Sequence, residues 1–197
     1  MAIVVIDPGH GGLTTIGDSS PNNAVGPTGL LEKDVVLDIA RMAHSKLLLL
    51  EVEAYLTRNS DKNLGLKDRA HIARDLDADA FVSIHLNTYN RKSQGTETWH
   101  DLRASSDSIN FAHAVQVGVL KATGLQDREV KAGETRNSFG VLNPSHHANR
   151  TAACLVEISF LDVPDEEERL RDSGYKENIA AAIASGVVTW LTLAKRI

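Results

Sequence analysis

Apolar positions along this chain follow two rhythms. Short runs rich in Val, Ile, Leu and Phe predict strands at 3–6, 52–57, 80–86, 95–99, 138–142 and 153–160. Between them, apolar residues recur every three or four positions, which predicts helices over 32–50, 66–76, 106–123 and 175–194, with a shorter one at 165–171. In the first helix Val36, Ile39, Ala40, Ala43 and Leu47 share one face; in the last, Ile179, Ile183, Val187 and Trp190 do. Each stripe is what a helix packed on a sheet requires. Strands separated by helices predict an α/β fold: one three-layer domain over 1–197, with a twisted, mostly parallel six-stranded sheet flanked by helices.

Two strands break the apolar rule for a sheet covered on both faces. In "AFVSIHLN", Val82, Ile84 and Leu86 point one way, and Ser83, His85 and Asn87 the other. In "CLVEISF", Glu157 and Ser159 oppose Val156, Ile158 and Phe160. A carboxylate in the middle of a core strand is costly unless it is paired or bound to a metal. The first strand ends in "DPGHGG", which sets His10 among glycines. Ligands in open α/β sheets bind beyond the carboxyl ends of strands, so His10, His85 and Glu157 are candidates for one site. The loop 13–31, long and rich in Gly, Pro, Ser and Asn, begins beside that strand end and is a candidate functional loop.

Composition narrows the field. With Lys+Arg 21 against Asp+Glu 26, the net charge of −5 argues against nucleic acid or an anionic membrane as the main partner. No apolar run approaches the roughly 20 residues that span a bilayer. The N-terminus lacks the basic, apolar and cleavage segments of a signal peptide, so the expectation is a protein cytoplasmic at rest or a mature domain. The single cysteine, Cys154, excludes an internal disulfide and a Cys-based zinc cluster, and its apolar setting predicts a buried, inert thiol.

Each polar residue also has an ordinary explanation. His10 suits a glycine turn, His85 a hydrogen-bonded core position, and Glu32 the first turn of a helix, where the dipole favours a carboxylate. His44, His71, His100, His113, His146 and His147 read as surface or helix positions, with substrate contact the alternative to a solvated loop for His146 and His147. Glu157 has no such explanation, because a strand offers it no capping role. Two His and a Glu are a standard donor set for catalytic zinc, with a further carboxylate as general acid/base. Ligands at His10, Glu32 and His85 with Glu157 as acid/base satisfy that chemistry. The scattered spacing, without a compact motif such as H-E-x-x-H, does not by itself establish it.

A wider pattern does more. "VVIDPGHGG", "GLLEKD", "YLTR", "LGLKDRAHIA", "AFVSIHLN", "GTETW" and "CLVEISFLDVPDEEERL" occur in this order over about residues 3–194. Together they resemble the zinc-dependent N-acetylmuramoyl-L-alanine amidases of the amidase-3 class, bacterial cell-wall hydrolases. The resemblance implies cleavage of the amide between N-acetylmuramic acid and L-alanine in peptidoglycan. It implies Zn²⁺ on His10, Glu32 and His85, and a catalytic glutamate at Glu157. Action in the cell wall or periplasm, as a division, sporulation or phage enzyme, is expected with it, and the expected state is a monomer.

The stretch before "GLLEKD" is longer than usual for that family, Ser159 stands where glycine is common, and "LDVPDEE" replaces a commoner "LSNPEDE". Residues 87–105 leave little room for the helical insertion that blocks zinc in regulated members, and no cell-wall-binding repeats occur. The expectation is an open catalytic domain. Ser83 and Asn87 are candidates to order His85, while Asp7 equally suits turn capping. Arg58, Arg69 and Arg150 are candidates to bind substrate carboxylates, each with structural pairing as the alternative. The competing functions are a zinc peptidase, an inactive peptidoglycan-binding module and, weakly, a phosphate-binding loop. The last lacks both G-x-G-x-x-G and G-K-[ST].

Overall fold

The computed structural model describes residues 1–133 and 139–197. The order of elements is β1 (Ile3–Pro8), α1 (Glu32–Leu49), β2 (Glu53–Leu56), α2 (Leu66–Asp75), β3 (Ala80–Asn87), β4 (Thr96–Asp101), α3 (Ser106–Thr123), β5 (Asp127–Gly133), β6 (Ala152–Phe160), α4 (Pro164–Arg171) and α5 (Ser173–Leu193). The strands form one sheet in the order β2-β1-β3-β6-β4-β5. Pairings are parallel except β4 on β6, which is antiparallel. The mostly parallel three-layer architecture read from the sequence is therefore the one observed.

Alternation along the strands builds two cores of unequal size. Val4, Ile6, Val82, Ile84, Leu86, Val156 and Ile158 face a layer containing α1, α3 and α5. Val5, Phe81, Ala153 and Leu155 face α2 and the short turns at 140–142 and 144–146. The helical stripes predicted on α1 and α5 are fully buried in the larger core, as is Cys154. The smaller face is not sealed at the carboxyl ends of the strands. Asp7, Ser83, His85, Asn87 and Glu157 alternate with the larger-core residues there, so the polar set of each strand projects on one side of the sheet.

One predicted strand is wrong. Of 138–142, Ser138 lies outside the described residues and Gly140–Leu142 is a single 3₁₀ turn. Its apolar residues Val141 and Leu142 are buried against the smaller core without joining the sheet. The sixth strand is instead β5, "DREVKAG", an edge strand whose mostly polar sequence hides it from an apolar-run criterion.

Candidate metal centre

Three elements carry the cluster. Beyond Pro8 the chain reverses through Gly9, His10 and two further glycines; φ is +60° at His10, +129° at Gly11 and +64° at Gly12. A left-handed histidine is uncommon, and it is held here by its own ring: Nδ1 lies 3.0 Å from the Ser20 carbonyl oxygen and donates to it. That tautomer leaves Nε2 as the lone-pair nitrogen, aimed at Glu32. Gly9 is needed for a different reason. A Cβ at this position would lie 2.3 Å from the His85 ring, so the turn can pass over that ring only without a side chain.

Glu32 is the first residue of α1 and is completely buried. Its Oε2 accepts from the Ala24 N–H at 2.8 Å, and its Oε1 from the Leu86 N–H at 3.0 Å. The same Oε1 lies 3.3 Å from His10 Nε2 and 3.1 Å from His85 Nδ1. Loop 13–31 thus serves the site through its backbone, supplying Ser20 O and Ala24 N. It is clamped in turn by Glu167 of α4, which accepts from the N–H groups of Thr28 and Leu30.

The donor atoms of His10, Glu32 and His85 all lie within 4.8 Å of one another. A tetrahedral metal with bonds of about 2.0–2.1 Å has ligand–ligand edges of about 3.3–3.4 Å. The two His–Glu separations match that edge, and two imidazoles with one carboxylate form a catalytic-zinc donor set. The residues fit a zinc ion. Burial opposes charge on Glu32, yet the two imidazoles hold its carboxyl far below the usual range. Burial likewise lowers His10, but Glu32 outweighs it and the net shift is upward; at His85 burial wins and the shift is downward.

Glu157 sits beside this cluster on β6, in register with His85 on one side and Glu97 of β4 on the other. Its Oε2 is buried with no hydrogen-bond partner among the described residues. Burial, reinforced by the charges of Glu32 and Glu97, pushes its carboxyl well above the ordinary value.

The other nominated residues lie elsewhere. Arg58 is buried beneath the β1 turn, donating to the carbonyl oxygens of Pro8, Gly9, Lys33 and Ser60. Arg69 is buried and pairs with Asp7 at 2.8 Å, donating also to Pro8 O, His10 O, Leu64 O and Asn63 Oδ1. Arg150 pairs with Asp77 and Asp79, at the amino end of β3 and far from the strand ends that carry the site. All three expectations of substrate contact are corrected on that ground: the guanidinium groups are engaged by the protein itself. Asp7 does not cap the turn; it binds Arg69, Thr57 Oγ1 and Ser83 Oγ. Ser83 supports Asp7, and Asn87 donates to Glu97 Oε1 at 3.0 Å, so neither hydrogen-bonds His85. His147 is no surface residue: it is buried with Nε2 on Val141 O and its ring against Phe81.

Glu97 is the residue sequence reasoning missed. It is a carboxylate on a buried strand, the same signal that singles out Glu157. Arg128 and Lys131 of β5 both reach its Oε2, at 2.8 and 2.6 Å.

A mostly parallel α/β sheet thus carries at its strand ends a His–Glu–His cluster that could hold a metal ion, beside a carboxyl with one oxygen unpartnered among the described residues. The model of the Amidase_3 family, described as N-acetylmuramoyl-L-alanine amidase, matches residues 4–189, and the chain belongs to that family. It is 32% identical over 189 residues to the N-acetylmuramoyl-L-alanine amidase LytC of Bacillus subtilis, covering 95% of this chain and 35% of LytC. It is 32% identical over 225 residues to AmiA of Escherichia coli, covering 95% of this chain and 75% of AmiA. Among solved structures, the catalytic domain of CwlV from Bacillus (Paenibacillus) polymyxa superposes with a TM-score of 0.84 at 34% identity, over 98% of this chain and 99% of that one. An N-acetylmuramoyl-L-alanine amidase from Clostridium difficile 630 gives 0.84 at 31% identity, over 97% of each.

Proposed function

We propose that this chain is a zinc-dependent amidase that hydrolyses the bond between the lactyl group of N-acetylmuramic acid and L-alanine in peptidoglycan. The observation that carries the reading is one juxtaposition. A His–Glu–His donor set with its carboxylate fully engaged stands beside a buried carboxyl, Glu157, with an oxygen unengaged among the described residues. Its family supplies the substrate.

His10, Glu32 and His85 would hold the zinc, which when bound supplies Lewis-acid activation of water and of the scissile carbonyl. Glu157 accepts the proton lost by the attacking water. It then delivers that proton to the alanine nitrogen as the carbon–nitrogen bond breaks, giving a lactyl carboxylic acid and a free alanine amine. Ser20 O and the N–H groups of Ala24 and Leu86 fix the orientation of His10 and Glu32, so these groups need no rearrangement during reaction.

Between β3 and β4 the chain runs directly through residues 88–95, pinned where the N–H groups of Tyr89 and Arg91 donate to Asp162. This short connection supports an open cleft. The enzyme acts in the cell wall or periplasm, as a monomer.

Digestion of purified sacculi with and without chelator, with mass spectrometry of the products, tests the proposal. New L-alanine amino termini without new reducing sugar ends are expected, and only in the chelator-free reaction. Cleavage within stem peptides would instead identify a peptidase, and no release would leave a binding module.

A further inference from the structure

The sheet face beyond Glu157 carries one carboxylate and two cations. Glu97 is buried on β4, and its Oε1 accepts from Asn87 Nδ2 at 3.0 Å and Trp99 Nε1 at 3.3 Å. Its Oε2 takes both Arg128 Nε and Lys131 Nζ. One negative charge thus gathers two positive ones, leaving a surplus of one.

Local geometry is arranged to produce this pairing. Residues 128 and 131 of a regular strand point to opposite faces. Here the register with β4 slips, Thr96 facing Asp127 and Thr98 facing Val130, with Glu129 at φ +73°. The bulge brings Arg128 and Lys131 onto one side. Gly95 clears the way for Arg128, since a Cβ there would lie 2.6 Å from its side chain. The guanidinium rests 5.0 Å from the centre of the Phe160 ring, and Lys131 Nζ 5.2 Å from that of Trp99. Both side chains keep about a third of their surface exposed, at 34% and 31%. Only Nε of Arg128 is engaged among the described residues, so the far edge of the guanidinium has N–H groups to offer.

We propose that Lys131 and Arg128, held by Glu97, form a subsite for the free α-carboxylate of the second stem residue, a γ-linked D-glutamyl unit. The proposal rests on the amidase reading above. Distance favours it. Glu157 and Glu97 are neighbours across one strand spacing, and the cations gathered on Glu97 belong to the next strand. Spacings of about 4.8 Å place the cations roughly 5–10 Å from Glu157. Two extended residues at about 3.5 Å each cover that gap from the scissile amide. Charge favours it too, since a planar guanidinium and an ammonium converging on one point match a carboxylate.

The test uses two synthetic substrates, N-acetylmuramoyl-L-Ala-γ-D-Glu-L-Lys and its α-carboxamide counterpart. For the wild type a roughly tenfold lower KM is expected for the free acid, the worth of one charge-assisted hydrogen bond. Lys131→Gln and Arg128→Gln should bring the ratio of the two KM values toward one. Lys131→Arg should keep it, and Lys131→Glu should invert it. Calorimetry with the product tripeptide, as acid and as amide, reads the same preference without turnover. Equal affinity of the wild type for acid and amide would overturn the subsite, as would a Lys131→Gln variant that retains the preference. If neither substrate is cleaved but the tripeptide acid still binds preferentially, the amidase reading fails and the subsite stands.

Discussion

The two walls of the candidate site use the same residue types to opposite ends. On the β1 and α1 side, Arg58, Arg69, Asp7 and Glu32 are buried, and every one is surrounded by protein partners. On the β6, β4 and β5 side, Glu157 has an oxygen with no partner among the described residues, and two cations share one carboxylate. Saturated groups build the frame that aims the metal ligands. Groups with spare capacity face the reaction and, by our proposal, the substrate. An arginine is therefore informative only when its hydrogen bonds are counted.

The sharpest way to break this comparison is to remove the frame's product, the metal. Stripping zinc, or the His85→Ala variant, is expected to abolish hydrolysis and bring bound zinc from one per chain to near zero by elemental analysis. Activity that survives with no metal bound would undo the assignment of this wall.

Next comes the opposite wall. Glu157→Gln keeps volume but cannot shuttle a proton, so kcat should fall on the order of 10²–10⁴-fold with zinc content unchanged. Its melting temperature should hold or rise, because a neutral amide is cheaper to bury than an unpaired carboxylate. Near-normal turnover would make Glu157 a structural residue, and joint loss of zinc would make it a ligand.

A frame residue should show the reverse signature. Arg69→Met leaves Asp7 buried and unpaired and is expected to cost about 3–5 kcal/mol in chemical denaturation. Asp7 adds a pH dependence to this. Burial raises its pKa, but Arg69, Thr57 and Ser83 outweigh that and hold it below its ordinary value of 3.8. Its contribution is therefore complete above about pH 4 and is lost as pH falls through the lower, folded-state value. Asp7→Asn should be less stable at neutral pH and show a shallower decline on acidification.

The smallest effect is expected at Asn87. Asn87→Ala removes one of four donors to Glu97, so KM should rise by a few-fold with zinc content constant. A change in zinc content would move Asn87 to the metal side of the site.

The sequence was most legible where burial and alternation coincide. The stripes on α1 and α5 and the polar positions on β3 and β6 could be read because a covered sheet leaves few reasons for a polar residue. His10 and Glu32 needed the wider motif pattern, since a glycine turn and a helix start each explain them locally. What brings them to His85 is the passage of loop 13–31, a tertiary arrangement with no periodic signature. Strand β5 was illegible because an edge strand need not be apolar, while Val141 and Leu142 mimicked a strand by packing into a core from a turn. Arg58, Arg69 and Arg150 mislead because most of the carbonyl oxygens and carboxylates that engage them are distant in sequence.

The bulge at Glu129 has one more consequence. β5 is the last strand of the sheet, and its outer backbone edge is a template on which another chain can add a strand. Interrupting the ladder at a left-handed Glu129 twists that edge and makes it a poor one. The feature that gathers two cations thus also guards against intermolecular sheet growth. Deleting Glu129 to regularise the strand should show both losses at once: visible aggregation at concentrations the wild type tolerates, and no discrimination between free and amidated peptides.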